Sequence, residues 1–388
     1  MKFKRIFLMV LDSLGVGEAL DANNYDDNGA NTLGHIKDNY DLFVPNLKKL
    51  GFLNTINMDE NNDVDAYYTI ARPTNPGKDT LNGHYEIMGV KNDIQFKSFT
   101  TNGFPRELLD QIEFATGRKL LGNKNCIGKD IINELGERQI ESNGLIIYTS
   151  NGSNLYISAH ENNIPVAKLY DYAEKIRKIT MREEWKVGRV VAKPFTGRPN
   201  NFRFTNENQV YAVKPPTMSV MNFLKENNYS VISIGKIDDV FDHEGITKTI
   251  KAKNNQEALN KLNDIMTKNF TGLCAVNLND FDIEYGHKRD VEGYAKAIEE
   301  LDVEIPMVLN KLETDDLLII TADHGCDPTF KGTEHTRENV PVIIYGRNLK
   351  EPKKLDILNS IADIGATIAD NFEVNKPFIG KSFLDKLK

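Results

Sequence analysis

At 388 residues the chain exceeds one ordinary compact domain, and 40% hydrophobic with 27% charged residues is the balance of a soluble globular protein rather than a disordered or fibrous one. The net charge of −8 argues against nucleic acid as a default partner, because phosphate-backbone binding draws on clustered Lys and Arg. Three cysteines, Cys126, Cys274 and Cys326, odd in number and widely spaced, mark neither a disulfide framework nor a zinc knuckle.

Residues 4–11 form an apolar run that stops at Asp12 and gives way to Ser13-Leu14-Gly15-Val16-Gly17, the pattern of a buried strand opening into a loop. Lys2, Lys4 and Arg5 precede it, but the apolar stretch is short and lacks a small-residue cleavage site, so no signal peptide is expected. Neither this run nor residues 317–320 approaches the ~20 apolar residues of a membrane span, which leads us to expect a cytoplasmic protein without a membrane partner. Residues 93–216 break the rhythm with short strand-like runs at 144–148 and 188–192, a helical stretch at 166–179 and a terminal Pro215-Pro216. They are expected to form a smaller α/β domain inserted into a core made of residues 1–92 and 217–388. In that core the strand grammar recurs at 230–235, 272–279, 316–321 and 340–345. Between them, Val291, Tyr294, Ile298, Leu301, Ile305, Val308 and Leu312 recur every three or four residues, predicting a helix over 290–312 that Pro306 should kink or split. Strands alternating with helices imply an α/β fold with a mostly parallel, doubly wound sheet, whose ligands gather beyond the strands' carboxyl ends.

Four segments carry chemistry. Asp12 follows an otherwise apolar strand, at the rim where metals and cofactors bind, although a loop-capping role would also explain it. Asp323 and His324 follow another strand, with His335 eleven positions beyond His324; carboxylate and imidazole together are a common ligand mixture for Zn or Mn. Asp282 and His287 share one loop after a third strand, where Asp280 and Glu284 compete as candidates. Thr80 sits in Gly77-Lys78-Asp79-Thr80 ahead of a probable helix, where free N–H groups favour phosphate, or where a Thr simply caps the helix. Together these residues are what a two-ion site with an activated hydroxyl needs.

The order and spacing of these residues resemble the metal-dependent mutases and phosphatases of the alkaline phosphatase superfamily, and within it the phosphopentomutase family. The carrying segments are residues 11–17, 77–80, Gly83-His84-Tyr85-Glu86-Ile87-Met88-Gly89, Ser233-Ile234-Gly235-Lys236-Ile237, Asp282 with Tyr285-Gly286-His287, and residues 321–328 with His335-Thr336-Arg337. The resemblance implies an alkaline-phosphatase-like core with an inserted cap. It also implies one ion on Asp12, Asp323, His324 and Thr80 and another on Asp282, His287 and His335, with two manganese ions as the expected cofactors and a sugar bisphosphate as activator. Thr80 would carry a phosphoryl group and exchange it with a pentose, interconverting ribose 1-phosphate and ribose 5-phosphate, and their 2-deoxy forms, in nucleoside salvage. By the same resemblance Ser150, Arg189 and Lys236 contact the substrate; fixed positive charge offsets that of a phosphate, and Arg binds it bidentately. The expected partner is a small phosphosugar, with no obligate protein partner.

Departures from the family fall mostly in the cap. After Tyr148-Thr149-Ser150 the family usually continues Ala, Asp, Ser, whereas this chain reads Asn151-Gly152-Ser153-Asn154, placing Gly152 where a sugar-facing carboxylate is usual. Lys193 stands where Arg is common. These changes keep open a phosphatase or phosphodiesterase, or a mutase for another phosphosugar, on the same core. A non-catalytic binding protein would instead predict a broken ligand set, and every expected ligand position is filled.

Overall fold

The computed structural model, which describes residues 1–61, 63–150 and 152–388, begins as the sequence requires: Arg5–Leu11 is a strand, β1, with all seven residues buried. Further strands follow as β2 (Tyr67–Ala71), β3 (Leu120–Asn125), β4 (Leu145–Thr149), β5 (Asn154–Ser158), β6 (Arg189–Ala192) and β7 (Phe195–Arg198). The remainder are β8 (Asn201–Phe204), β9 (Gln209–Ala212), β10 (Ser230–Ile234), β11 (Lys248–Ile250), β12 (Gly272–Leu278), β13 (Asp316–Thr321) and β14 (Val340–Tyr345). The chain divides into two compact units, Met1–Ile94 with Pro215–Lys388, and Gln95–Lys214.

The first unit is built on a seven-stranded sheet in the order β11-β10-β12-β1-β13-β14-β2. The strands from β11 to β13 are parallel, and β14 runs antiparallel to both β13 and β2. The segment between β13 and β14 stays at the carboxyl end of β13, so the next strand starts there and must run back. Every residue of β1, β12 and β13 is buried, the mark of a sheet covered on both faces. Each Val, Leu, Ile, Phe or Met among them contributes roughly 1.5–3 kcal/mol over leaving it exposed. At the amino end of the sheet, the buried Arg5 pairs bidentately with Asp316, Nε to Oδ1 at 2.7 Å and Nη2 to Oδ2 at 2.6 Å. Charge at that end is matched within the protein.

The helix expected over 290–312 runs Val291–Lys311 as one element with Pro306 inside it, so the proline does not split it. Proline removes the N–H that would bond the carbonyl four residues earlier. That carbonyl belongs to Asp302, and Asn46 Nδ2 donates to it instead at 3.1 Å. Among the described residues, no helix is long and apolar enough to cross a membrane.

The second unit has a five-stranded mixed sheet in the order β3-β4-β5-β6-β9 and a β7-β8 hairpin. One apolar cluster joins the helices Arg106–Thr116 and Val166–Ile179 to residues of β4, β5 and β6, and a second joins Gly128–Ser142 and the hairpin to Ile146 and Tyr148. Ser150 follows β4, and Arg189 opens β6, where its Nε donates to Asn154 Oδ1 at 2.9 Å. Lys193 lies over the Phe204 ring at 4.2 Å, and burial lowers the pKa of its ammonium. Gly152 has φ +61° and accepts from Ser98 Oγ at 3.2 Å. Asn151, the first residue of the divergent segment, lies outside the described residues.

Candidate active site

Three strand ends build the site. β1 is hydrogen-bonded to β12 on one side and β13 on the other, so in a parallel sheet their carboxyl ends deliver Asp12, Asp282 and Asp323-His324 to one rim. Backbone bonds complete the placement: Asp12 N donates to Leu278 O at 3.2 Å, and Ser13 N, at φ 69°, donates to Asp323 Oδ1 at 3.1 Å. After β12 the chain makes a π-helical turn, Phe281–Gly286. His287 N bonds Asp282 O at 2.9 Å, and the wider five-residue turn brings the side chains at 282 and 287 to one side. Gly286 lies against Cys326, where a Cβ would sit 3.0 Å from the cysteine Cβ.

Thr80 is the first residue of the helix Thr80–Ile87, and the cap is Asp79, whose carboxylate accepts from Leu81 N and Asn82 N. The capping role considered for Thr80 therefore falls to its neighbour. The N–H groups of Leu81 and Asn82 are thereby engaged within the helix cap. The helix comes close because residue 83 is glycine: a Cβ there would lie 2.2 Å from Asp323 O. Thr80 Oγ1 ends 3.2 Å from His324 Nε2 and 3.3 Å from Lys236 Nζ.

The structure thus brings Asp12, Thr80, Lys236, Asp282, His287, Asp323, His324 and His335 together. Asp12, Asp323 and His324 form one group and Asp282, His287 and His335 another, each with its ligand atoms within 4.8 Å. The His324 and His335 rings stack at 3.9 Å, which joins the groups. Asp280 and Glu284 stay out: Asp280 accepts from Asn255 N at 2.8 Å, and Glu284 pairs with Lys288. Ser150 and Arg189 belong to the second unit.

Electrostatics and hydrogen bonding fit divalent ions. Among the described residues, Asp12 Oδ1 is buried without a hydrogen bond, an expensive arrangement for protein alone, while Asp282 Oδ1 faces His287 and His335 Nε2 at 3.5 and 3.3 Å and Asp323 Oδ2 faces His84 Nδ1 and His324 Nε2 at 3.0 and 3.3 Å. The Nδ1 atoms of His287, His324 and His335 lie 2.6, 3.1 and 2.9 Å from the carbonyls of Thr333, Gly325 and Lys78. A carbonyl only accepts, so each Nδ1 carries the proton and each Nε2 faces the cluster, where it could serve as a ligand atom. Burial would lower His324 and His287, but Asp323 and Asp282 outweigh it, raising His324 to about 10 and His287 well above its ordinary value, whereas burial, then His324, pushes His335 down to about 3. Burial raises Asp12, and the neighbouring Asp323 raises it further. Burial would also raise Asp323, but His324 and His84 outweigh it and hold that carboxyl well below the usual range.

Three contributors were not read from sequence. Asn277, in β12, donates from Nδ2 to Asp12 Oδ2 at 2.8 Å. His84 Nδ1 lies 3.0 Å from both Thr80 O and Asp323 Oδ2. Glu338 accepts from Gly17 N, Thr32 N, Thr32 Oγ1 and Thr336 Oγ1, tying the loop after β1 to the residue beside His335. Asn277 did leave a signal, a polar residue near the end of an otherwise apolar strand, but the rule that found Asp12 looks for an acidic residue just past the strand and so misses it. Glu338 left none.

The fold and site define a divalent-metal enzyme. The sequence matches the model of the Metalloenzyme superfamily over residues 4–376, and the chain belongs to that superfamily. Among solved structures, the PH0037 protein from Pyrococcus horikoshii is similar over 98% of this chain and 100% of its own, at 15% identity and a TM-score of 0.50, a likeness of fold. A Leishmania mexicana phosphoglycerate mutase matches over 98% of this chain and 97% of its own, with 11% identity and a TM-score of 0.47. The cofactor-independent phosphoglycerate mutase of Thermoplasma acidophilum matches over 96% and 100%, with 12% identity and a TM-score of 0.40.

Proposed function

We propose that the protein is a phosphopentomutase, interconverting ribose 1-phosphate and ribose 5-phosphate, and the 2-deoxy sugars, through a phosphothreonine at Thr80 and a sugar bisphosphate. The observation that carries this reading is the Thr80 hydroxyl, buried at the head of its helix within 3.3 Å of both His324 Nε2 and Lys236 Nζ. Asp12, Asp323, His324 and Thr80 would hold one divalent ion and Asp282, His287 and His335 the other, manganese by the resemblance, and the pair would neutralise charge on the attacking and leaving oxygens.

The phosphoryl group passes from Thr80 Oγ1 to a sugar hydroxyl, breaking one P–O bond as another forms, and the bisphosphate returns its other phosphate to Thr80. Lys236 Nζ lies where it can donate to Thr80 Oγ1 as negative charge grows on that oxygen. The Asp79 cap orients the helix that carries Thr80. Ser150 and Arg189 are proposed as further substrate contacts on the strength of the family resemblance. Exclusion of water separates a mutase from a phosphatase on the same core.

Phosphorus NMR tests this reading, using the protein with Mn²⁺, a catalytic amount of ribose 1,5-bisphosphate and excess ribose 1-phosphate. Ribose 5-phosphate should accumulate without inorganic phosphate. Rapid release of inorganic phosphate would instead identify a phosphatase.

A further inference from the structure

We propose that Asn277 is a positioning residue that keeps the Asp12 carboxylate aimed into the ligand cluster and thereby leaves Lys236 free to leave it for a substrate phosphate. The second half of this inference rests on the function proposed above. Asn277 is the one amide in β12, is 2% exposed, and stands in a strand whose residues are all buried. A buried amide costs free energy unless it is bonded. Here only half of it is bonded: Nδ2 donates to Asp12 Oδ2 at 2.8 Å, while Oδ1 has no partner among the described residues. The amide's orientation follows from its partner, because an ionised carboxylate cannot donate.

Asp12 Oδ2 receives two donors, Asn277 Nδ2 and Lys236 Nζ, whereas Oδ1 receives none and lies 3.7 Å from His324 Nε2. The two oxygens are equivalent, so a half-turn changes nothing, but a donor held on one of them opposes the smaller rotations that would turn the other away from the cluster. The two donors differ in kind. Lys236 is a point charge on a flexible stem with its side chain 14% exposed, so it can turn to an arriving phosphate, but beside Asp12 it competes with a cation. Asn277 is fixed in the sheet and adds no charge. When the ammonium moves away, the amide still holds Oδ2 and leaves Oδ1 directed at the cluster.

The test is calorimetric titration of MnCl₂ into metal-free protein, with each binding step assigned by the Asp282→Asn variant, which should lose the step of its own group. Asn277→Leu, near in size and without a donor, should weaken the Asp12-Asp323-His324 step about 10–100-fold, leave the other step unchanged, and melt close to wild type without metal. Lys236→Met should slow sugar conversion yet leave the first step no weaker, since a competing cation is gone. Should Asn277→Leu fail to fold, Asn277→Ser removes the amide with less bulk and should weaken the same step. Equal weakening of both steps with a lowered melting temperature, or no weakening of either, would overturn the assignment. Because the titration involves no sugar, wild-type protein that binds both ions but does not convert ribose 1-phosphate overturns the sugar reading and not the role of Asn277.

Discussion

Asp12, Asp323 and His324 are the same kinds of side chain as Asp282, His287 and His335, but the two groups are anchored in different ways. The first stands on the ends of adjacent parallel strands whose register is set by continuous ladders, Arg5 beside Asp316 through Val10 beside Thr321. Its carboxylates are held by Asn277 Nδ2 and Ser13 N. The second stands on a π-helical turn and an irregular segment, and its histidines are held by the carbonyls of Thr333 and Lys78. Ligands on strand ends inherit the rigidity of the sheet, while ligands on turns are only as fixed as the loops that hold them. The second group should therefore respond more gradually to small changes.

The largest effect is expected at Thr80, the proposed phosphoryl carrier beside the first group. Thr80→Ala should lower the proposed mutase turnover on the order of 10⁴–10⁶-fold and abolish the phosphopeptide that the proposal expects by mass spectrometry, and near-normal turnover would remove Thr80 from the chemistry. Gly83→Ala tests the rigidity of the first group. Its Cβ would meet Asp323 O at 2.2 Å, a backbone atom that cannot turn aside. We expect a loss of about 3 kcal/mol or more in denaturant unfolding, together with the first Mn²⁺ step.

Glu338, which ties the loops of both groups, should show its link through pH. Burial lifts its carboxyl from the ordinary 4.5 to about 7 against the opposing bonds from Thr336 and Thr32. Folding then favours the protonated form, so this stabilisation is complete below pH 4.5 and is lost as pH rises through about 7. Glu338→Gln, neutral throughout, should gain roughly 2–3 kcal/mol on wild type between pH 4.5 and 8. Parallel stability curves across that window would contradict it. The smallest effect is expected from Gly286→Ala, whose Cβ would crowd the Cys326 Cβ at 3.0 Å. The turn can give by a few tenths of an ångström, so the second Mn²⁺ step should weaken about tenfold, or about 1.4 kcal/mol, with the first unchanged. An equal loss in both steps would erase the contrast between the groups.

Much of this site was legible because one rule, an acidic residue just past an apolar strand, has a direct physical meaning at a sheet rim. It located Asp12, Asp323 and the segment around Asp282. It could not choose among Asp280, Asp282 and Glu284, because that choice depends on a π-helical turn that no local pattern announces. Pro306 left a kink and a split equally open for a related reason. Its effect on the helix depends on whether Asp302 O finds another donor, and Asn46 is remote in sequence. Residues 340–345 read as one more strand, but their direction follows from where the preceding connection runs.

By itself, the sequence determined the class of fold, the strands that carry the candidate ligands and the chemical types of those side chains. Burial and periodicity are local properties, written in which residues alternate or run together. Tertiary structure alone decided which oxygen of Asp12 is held and which is bare, that Asp79 rather than Thr80 caps its helix, and that Asn277, His84 and Glu338 support the candidate ligands. Those outcomes depend on atoms far apart in the chain meeting within about 3 Å, and such distances are set by packing the whole sheet.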